Sequence, residues 1–213
     1  MPRVICLHGP VGCGKTTLLN QLKQYLPNSY VVPEYIDALD DAKTKLQQYL
    51  EGTYSAFKFQ NYILDYFERI ADSLEHSTYE YVLVERCPVE GILFFAKLDL
   101  INRRLTQAQY DYLLKRSQSF TVFPNPLTDD FVAINTDNKS PGQIAEQVLE
   151  LIPQFHLIKL RASLDTIKSR IQQRGRTCEL EHYTDEYLKV MVECYVNTKQ
   201  NEQLFNDNMG EMV

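Results

Sequence analysis

The stretch that decides the fold is Gly9-Pro10-Val11-Gly12-Cys13-Gly14-Lys15-Thr16. It has the form G-x-x-x-x-G-K-[ST], a loop that cradles phosphate. Glycines let a backbone close around an anion with no Cβ in the way. Successive N–H groups, with the positive end of the following helix, then hold the negative charge. On this pattern Gly9, Gly12, Cys13 and Gly14 supply backbone, Lys15 reaches the β- and γ-phosphates, and the Thr16 hydroxyl serves Mg²⁺. The flanks agree. An apolar strand, Val4–Leu7, precedes the loop. A helix starting at Lys15 follows, with Leu18, Leu19, Leu22 and Leu26 on one face. A glycine turn that only capped a helix would leave the Lys15-Thr16 pair without a purpose. The loop implies a nucleoside triphosphate, and does not separate kinases from GTPases, motors or regulators.

The rest of the chain sets the scale. With 213 residues, 44% hydrophobic and 23% charged, it is expected to form one globular domain with its own core. Disordered and fibrous classes are excluded by that composition. Lys and Arg total 22 against 28 Asp and Glu, a net charge of −6. Nucleic-acid affinity comes mainly from neutralising phosphates, so a nucleic-acid partner is not expected and any anion site is local. No apolar run approaches the roughly 18–20 residues of a membrane helix, so no membrane partner is expected. The N-terminal apolar stretch meets Gly9-Pro10 too soon for a signal-peptide core. The five cysteines, Cys6, Cys13, Cys87, Cys178 and Cys194, are odd in number and show no Cys-x-x-Cys pair. Free thiols in a reducing, cytoplasmic setting are expected.

Apolar runs alternate with helical patterns, the signature of α/β with a parallel sheet. Strands are expected at Val4–Leu7, Tyr30–Val32, Tyr81–Val84, Phe131–Ile134 and His156–Leu160. A long helix over Ser55–Ser77 carries Phe59, Tyr62, Ile63, Tyr66, Phe67, Ile70 and Leu74 at helical spacing. Pro88 suits the first turn of a helix holding Ile92, Leu93, Phe95 and Ala96. Thr106 caps a helix through Leu114. Ser140-Pro141-Gly142-Gln143 opens another, with cap, first-turn proline and capping-box glutamine in place. Leu164–Arg174 and Thr184–Val196 complete the helices. Phe120–Asp130, with Pro124 and Pro126, is the most loop-like stretch and the expected site of mobility.

Charged groups cluster where a parallel sheet binds ligands, beyond the carboxyl ends of its strands. Glu34 follows the second strand and could accept a proton from an attacking hydroxyl; a solvated loop carboxylate is the plainer alternative. Glu85-Arg86 ends the third strand. Glu85 suits Mg²⁺ and Arg86 a transferring phosphoryl group, unless the two form a surface pair. Arg161, Arg170, Arg174 and Arg176 are four of the chain's ten arginines in one short stretch. They suit a lid closing over phosphates, or a solvated basic helix end. Gln60 stands in an apolar face with Phe59, Ile63 and Phe67, where it could pair with a nucleobase or face solvent.

Taken together, these motifs resemble the deoxyribonucleoside kinase family, which includes deoxycytidine, deoxyguanosine and mitochondrial-type thymidine kinases. The resemblance rests on Gly9–Thr17, Pro33-Glu34, Tyr49, Phe59-Gln60, Glu85-Arg86, Leu105-Thr106-x-x-x-Tyr110, Leu160-Arg161-Ala162-Ser163, and Arg170-x-x-x-Arg174-Gly175-Arg176-x-x-Glu179. It implies the P-loop kinase fold, with a parallel five-stranded sheet flanked by helices and an Arg-rich lid over about 170–182. It implies ATP and Mg²⁺, a deoxynucleoside acceptor and a homodimer. By resemblance Glu34 is the general base for the 5′-hydroxyl, Arg86 stabilises transferred charge, and Glu85 lies near Mg²⁺. Lys15, Thr16 and Thr17 bind ATP with Arg170, Arg174 and Arg176. Gln60 pairs with the base, Tyr49 and Glu179 bind the 3′-hydroxyl, and Phe95 stacks opposite Phe67.

Purine-tolerant members of that family carry an Arg–Asp pair over the base. Here the two places hold Phe67 and Gly91, and Ile63 is also apolar. A flat pyrimidine is expected, thymidine first and deoxycytidine second, with Gly91 leaving room for a 5-methyl group. Three departures stand out. Cys87 replaces the family serine, and the family's usual aromatic a few residues after Glu34 is missing, with Leu39 and Asp40 near its place. Residues of about 120–154 are inserted, while the polar stretch Val196–Val213 lacks a final strand. Phe131–Ile134 is therefore expected to supply that strand or to join the sheet edge. A thymidylate-type monophosphate kinase would need cations beside Glu34, where Tyr35, Ile36 and Asp37 stand. A non-catalytic regulator would lack the base or the lid.

Overall fold

The computed structural model describes residues 1–175, 180 and 183–196. Five strands form one sheet: β1 (Arg3–His8), β2 (Ser29–Val31), β3 (Tyr81–Glu85), β4 (Phe131–Asn135) and β5 (Leu157–Arg161). Their order is β2-β3-β1-β5-β4, and every pairing is parallel. A parallel sheet is covered on both faces, so alternate residues of each strand serve opposite cores. Ile5 and Leu7 of β1 join Leu83, Ile134, Ile158 and Leu160 in one core. Val4 and Cys6 join Val82, Val84 and Leu157 in the other.

The helices follow the apolar periods. On the first face lie α1 (Lys15–Tyr25), α8 (Pro141–Leu151), α9 (Leu164–Arg174) and α10 (Asp185–Val196). On the second lies α4 (Ala56–Leu74), through Tyr66, Phe67 and Leu74. Beyond α4 a third cluster joins Ala56 and Leu64 to Ile92, Ala96, Leu105, Tyr110 and Leu113, the last two on α7 (Gln107–Gln118). Capping is as the sequence reads. Thr106 and Ser140 each form a complete capping box, with Gln109 and Gln143.

Three features differ from the sequence reading. Two helices, α2 (Tyr35–Ala38) and α3 (Ala42–Leu50), were not expected from the sequence. Each buries one side chain, Ile36 and Ala42; α2 is a single turn, while α3 carries Ala42, Leu46, Tyr49 and Leu50 at helical spacing, a signal that was there to read. The helix begun by Pro88 runs on as α5 (Pro88–Gly91), a π-helical stretch Ile92–Ala96, and α6 (Lys97–Ile101). Such stretches occur often at functional sites. Finally, the Phe120–Asp130 loop is anchored. Phe123 is buried edge-on against Phe67, with ring centroids 5.4 Å apart.

The segment of about 120–154 places β4 at the sheet edge beside β5, with Phe131 opposite Leu157 and Asn135 opposite Arg161. Its helix α8 seals that side of α1 with Ile144, Ala145 and Val148, all buried. The expected lid over 170–182 is described through Gly175 and at Leu180. Arg176, Cys178 and Glu179 lie outside the described residues, as does the stretch past Val196. Cys6, Cys13 and Cys87 are free and buried. No helix among the described residues is long and apolar enough to cross a membrane.

If α8 belongs to the cooperative core, two substitutions should show it in urea unfolding. Val148→Ala should cost about 2 kcal/mol, through lost methyl burial and the cavity left behind. Ser140→Ala should cost about 1 kcal/mol through the lost cap. An unchanged midpoint for both would mean that α8 unfolds separately from the rest.

Candidate active site

The loop after β1 turns on glycines. Gly9 has φ of 144°, and a Cβ there would lie 2.6 Å from the Leu160 carbonyl oxygen. Gly14, at φ of 98°, turns the chain into α1. Lys15 at the helix start is 3% exposed. Its ammonium donates to the carbonyls of Gly9, at 2.9 Å, and Pro10, at 2.8 Å. It also lies 3.7 Å from Glu85 Oε1.

Beta-strand register brings β3 to the loop. Leu7 stands opposite Glu85, so the two residues ending β3 emerge beside Lys15 and Thr16. The Thr16 hydroxyl donates to Glu85 Oε2 at 2.6 Å. Burial pushes the Glu85 carboxyl up, but Lys15, Arg86, Thr16 and Arg174 outweigh it and hold it below its ordinary value. A hydroxyl and an ionised carboxylate are hard oxygen donors of the kind Mg²⁺ takes, so this pair fits the ion.

Arg86 breaks from the strand at φ of 63°, a left-handed conformation uncommon for a residue with a side chain. Its amide is fixed by the Leu7 carbonyl at 3.0 Å. Its guanidinium lies 3.0 Å from Glu34, 3.6 Å from Glu85 and 4.0 Å from Glu90. Glu34 sits just before α2. The preceding residue's carbonyl accepts the Tyr66 hydroxyl at 2.6 Å.

Beyond this charged centre the cavity becomes aromatic. Tyr49 stacks on Phe59 with centroids 4.3 Å apart. Gln60, 2% exposed, donates through Nε2 to Asp99 Oδ2 at 3.2 Å. The Tyr49 hydroxyl donates to the same carboxylate at 3.0 Å, and Arg104 lies 3.4 Å from it. Burial raises the Asp99 carboxyl above its ordinary value, against the pull of Arg104, Tyr49 and Gln60. Burial likewise pushes the Tyr49 hydroxyl up.

One cavity of about 990 Å³ unites these parts. Its walls include Gly12, Cys13, Gly14, Lys15, Thr16 and Thr17, then Glu34, Glu85, Arg86, Arg170 and Arg174. They continue to Tyr49, Phe59, Gln60, Ile63, Phe67, Gly91 and Phe95. The sequence-derived site residues that the structure describes thus meet, with one outside the wall. Gly9 forms the base of the loop, and Arg176 and Glu179 lie outside the described residues.

The family can now be named. A sequence profile of deoxynucleoside kinases matches residues 5–140. This chain belongs to the deoxynucleoside kinase family. No curated protein matches it by sequence. Among solved structures, deoxyadenosine kinase from M. mycoides with bound dATP is similar, with a TM-score of 0.60 at 20% identity. That match covers 94% of this chain and 86% of the other. The same enzyme with bound dCTP gives 0.57 at 19% identity, covering 97% and 85%. Its complex with the products dCMP and a flexible dCDP gives 0.56 at 18% identity, covering 96% and 84%. At these identities the likeness speaks for the fold.

Several site residues of this family member escaped the sequence reading. Asp99 follows Gly91 and Phe95 at intervals of four, on the helix that lines the cavity. An acid flanked by Leu98 and Leu100 was the available signal. Thr136, just after β4, donates to the Cys13 carbonyl at 3.3 Å and accepts from Arg170 at 3.1 Å. Arg170 also donates to the Gly12 carbonyl at 3.4 Å. It therefore braces the phosphate loop.

Glu90, in α5 and four residues past Arg86, is 2% exposed. It accepts the Tyr195 hydroxyl at 2.7 Å and the Gly9 amide at 3.4 Å, with His8 Nε2 at 3.3 Å. Burial pushes its carboxyl from 4.5 up to about 7, against the pull of Arg86, Lys15, Tyr195 and Gly9. A buried acid with a raised pKa adds no cost when protonated in both folded and unfolded chains. It destabilises the fold progressively as pH rises from the unfolded value to the folded one. Glu90→Gln removes that term. Relative to the parent, its stability should improve by roughly 3 kcal/mol between pH 4.5 and pH 8, and level off above. Urea unfolding across that range checks it, and a constant difference would mean that Glu90 is ionised throughout.

Proposed function

We propose that this chain is a single-domain deoxynucleoside 5′-kinase that transfers the γ-phosphoryl group of ATP, with thymidine as its favoured acceptor. One observation carries the reading. A single cavity joins a phosphate loop to an aromatic chamber holding a buried glutamine, and an acid–arginine pair stands between them. A triphosphate on the loop and a nucleoside in the chamber would meet at Glu34 and Arg86.

Phosphoryl transfer needs positioning and charge stabilisation more than covalent chemistry. In this scheme Glu34 takes the proton of the 5′-hydroxyl as its oxygen attacks the γ-phosphorus. The β–γ bridge oxygen departs with its electron pair as ADP. Arg86, 3.0 Å from Glu34, orients that carboxylate and faces the charge of the transferred group. Lys15 turns from the loop carbonyls to the β- and γ-phosphates. Thr16 and Glu85 would hold Mg²⁺, which when bound shields the phosphate charge. Arg170 and Arg174 border the triphosphate end, and Tyr49 faces the sugar. The family resemblance adds Arg176 to the lid and Glu179 at the 3′-hydroxyl, and favours a homodimer.

The acceptor assignment rests on the chamber. Phe67 is buried in it, Ile63 borders it, and a Cβ added at Gly91 would meet nothing within 4 Å. An apolar wall with free space opposite suits thymine and its methyl group. The residues after Glu34 are Tyr35, Ile36 and Asp37, with no cation for an acceptor phosphate.

The test is phosphoryl transfer from Mg-ATP to thymidine, deoxycytidine, deoxyadenosine, deoxyguanosine and thymidylate separately. Thymidine is expected to show the highest kcat/KM. Turnover of thymidylate alone would favour a monophosphate kinase, and deoxyguanosine as the best substrate would refute the pocket argument. Glu34→Gln should lower kcat by about 10²–10⁴-fold, with KM for the nucleoside little changed. An unchanged kcat would remove Glu34 from the base role.

A further inference from the structure

The buried carboxylate of Asp99 has no part in phosphoryl transfer, yet it touches the side chain best placed to read a base. A glutamine amide can normally turn over in its pocket, because its oxygen and nitrogen have nearly the same size. One orientation pairs with a base that presents a ring N–H beside a carbonyl, as thymine and uracil do. The other pairs with a ring nitrogen acceptor beside an amino group, as in cytosine and adenine. A glutamine free to turn therefore serves both sets.

Here it is not free. Asp99 is 2% exposed and surrounded by donors. Arg104 lies 3.4 Å from Oδ1, and a guanidinium only donates. The Tyr49 hydroxyl lies 3.0 Å from both oxygens. Held among these groups, the carboxylate can only accept, so the Gln60 amide must turn its nitrogen toward Oδ2, where it stands at 3.2 Å. Turning the amide over would set two acceptor oxygens against each other in a buried site, at the cost of an unmade hydrogen bond. One N–H and the carbonyl of Gln60 remain for a base, in one fixed order.

We propose that Asp99 is a specificity-determining residue that locks the Gln60 amide, so that the kinase accepts bases of one hydrogen-bonding order only. Resting on the thymidine reading above, that order is the N–H-beside-carbonyl order of thymine and uracil. Deoxycytidine then falls from second choice to a poor substrate. Arg104 and Tyr49 act through Asp99, the one as its charge partner, the other as a second donor.

The experiment compares kcat/KM for thymidine, deoxyuridine, deoxycytidine and deoxyadenosine in the parent, Asp99→Asn and Tyr49→Phe proteins. The parent should favour thymidine and deoxyuridine over both amino bases by about 100-fold or more, since a site built for one pattern strongly rejects the other. An asparagine at 99 can turn either its oxygen or its nitrogen to Gln60. The ratio of thymidine to deoxycytidine should then fall by at least about tenfold. Tyr49→Phe should lose efficiency with every acceptor and keep the parent ratio, because Arg104 still holds Asp99 as an acceptor beside Gln60. A ratio unchanged in Asp99→Asn would overturn the proposal. So would a parent enzyme that uses thymidine and deoxycytidine about equally, a result needing no variant to fold. A parent that prefers the amino bases, with Asp99→Asn relaxing that preference, would keep the lock and overturn the thymidine reading instead. Absence of turnover with every nucleoside would overturn both.

Discussion

The parallel pairing of β1 with β3, Leu7 opposite Glu85, is the constraint on which the site depends. It lays the phosphate loop and the Glu85-Arg86 pair side by side at the carboxyl edge of the sheet. Side chains alternate along a strand, so a slip of one residue would turn Glu85 to the opposite face. The register is held by burial on both sides. Ile5 and Leu7 belong to one core, Val4 and Cys6 to the other, and a slip would exchange them all. The same pairing lets the Leu7 carbonyl take the Arg86 amide, which fixes the left-handed turn that aims the guanidinium back into the cavity.

Charge is the second organising theme. Two cations, Lys15 and Arg86, meet Glu34, Glu85 and Glu90 within a few ångströms. Buried charges are costly unless paired. The carboxylates share a limited supply of positive charge, and their positions divide them. Glu85, next to both cations, is held low; Glu90, deeper and joined to Tyr195 and the Gly9 amide, is pushed up toward neutrality. Two acids five residues apart, one ending β3 and one in α5, are thus given different protonation behaviour by their surroundings. Glu90 also ties α10, the helix following the lid region, to the first glycine of the phosphate loop.

The segment holding β4 and α8 does more than lengthen the sheet. Edge strand β4 delivers Thr136 to the Cys13 carbonyl and to Arg170, and α8 packs against α1. Both sides of the loop-and-helix unit are thus supported from one stretch of the chain. At the other end of the cavity, the rod through Pro88–Ile101 turns Gly91, Phe95 and Asp99 toward the pocket. Its π-helical stretch begins directly after Gly91.

Much of this was legible in the sequence, because the relevant signals are local. The phosphate loop is contiguous, the strands are short apolar runs, and the capping boxes at Thr106 and Ser140 lie within four residues. From these the parallel sheet and most helices followed, and the charged strand ends then followed from the sheet. The helices α2 and α3 did not: α2 is a single turn, too short for a period, and the spacing Ala42, Leu46, Tyr49, Leu50 in α3 went unread. Asp99, Glu90 and Thr136 could not be assigned either. Their roles lie in partners 39 residues away for Asp99 with Gln60, 105 for Glu90 with Tyr195 and 123 for Thr136 with Cys13. Sequence determined which groups could do the chemistry, because that depends on residue type. Only the tertiary structure decided which buried acids are paired, raised or used to orient a neighbour, because those properties belong to the surroundings.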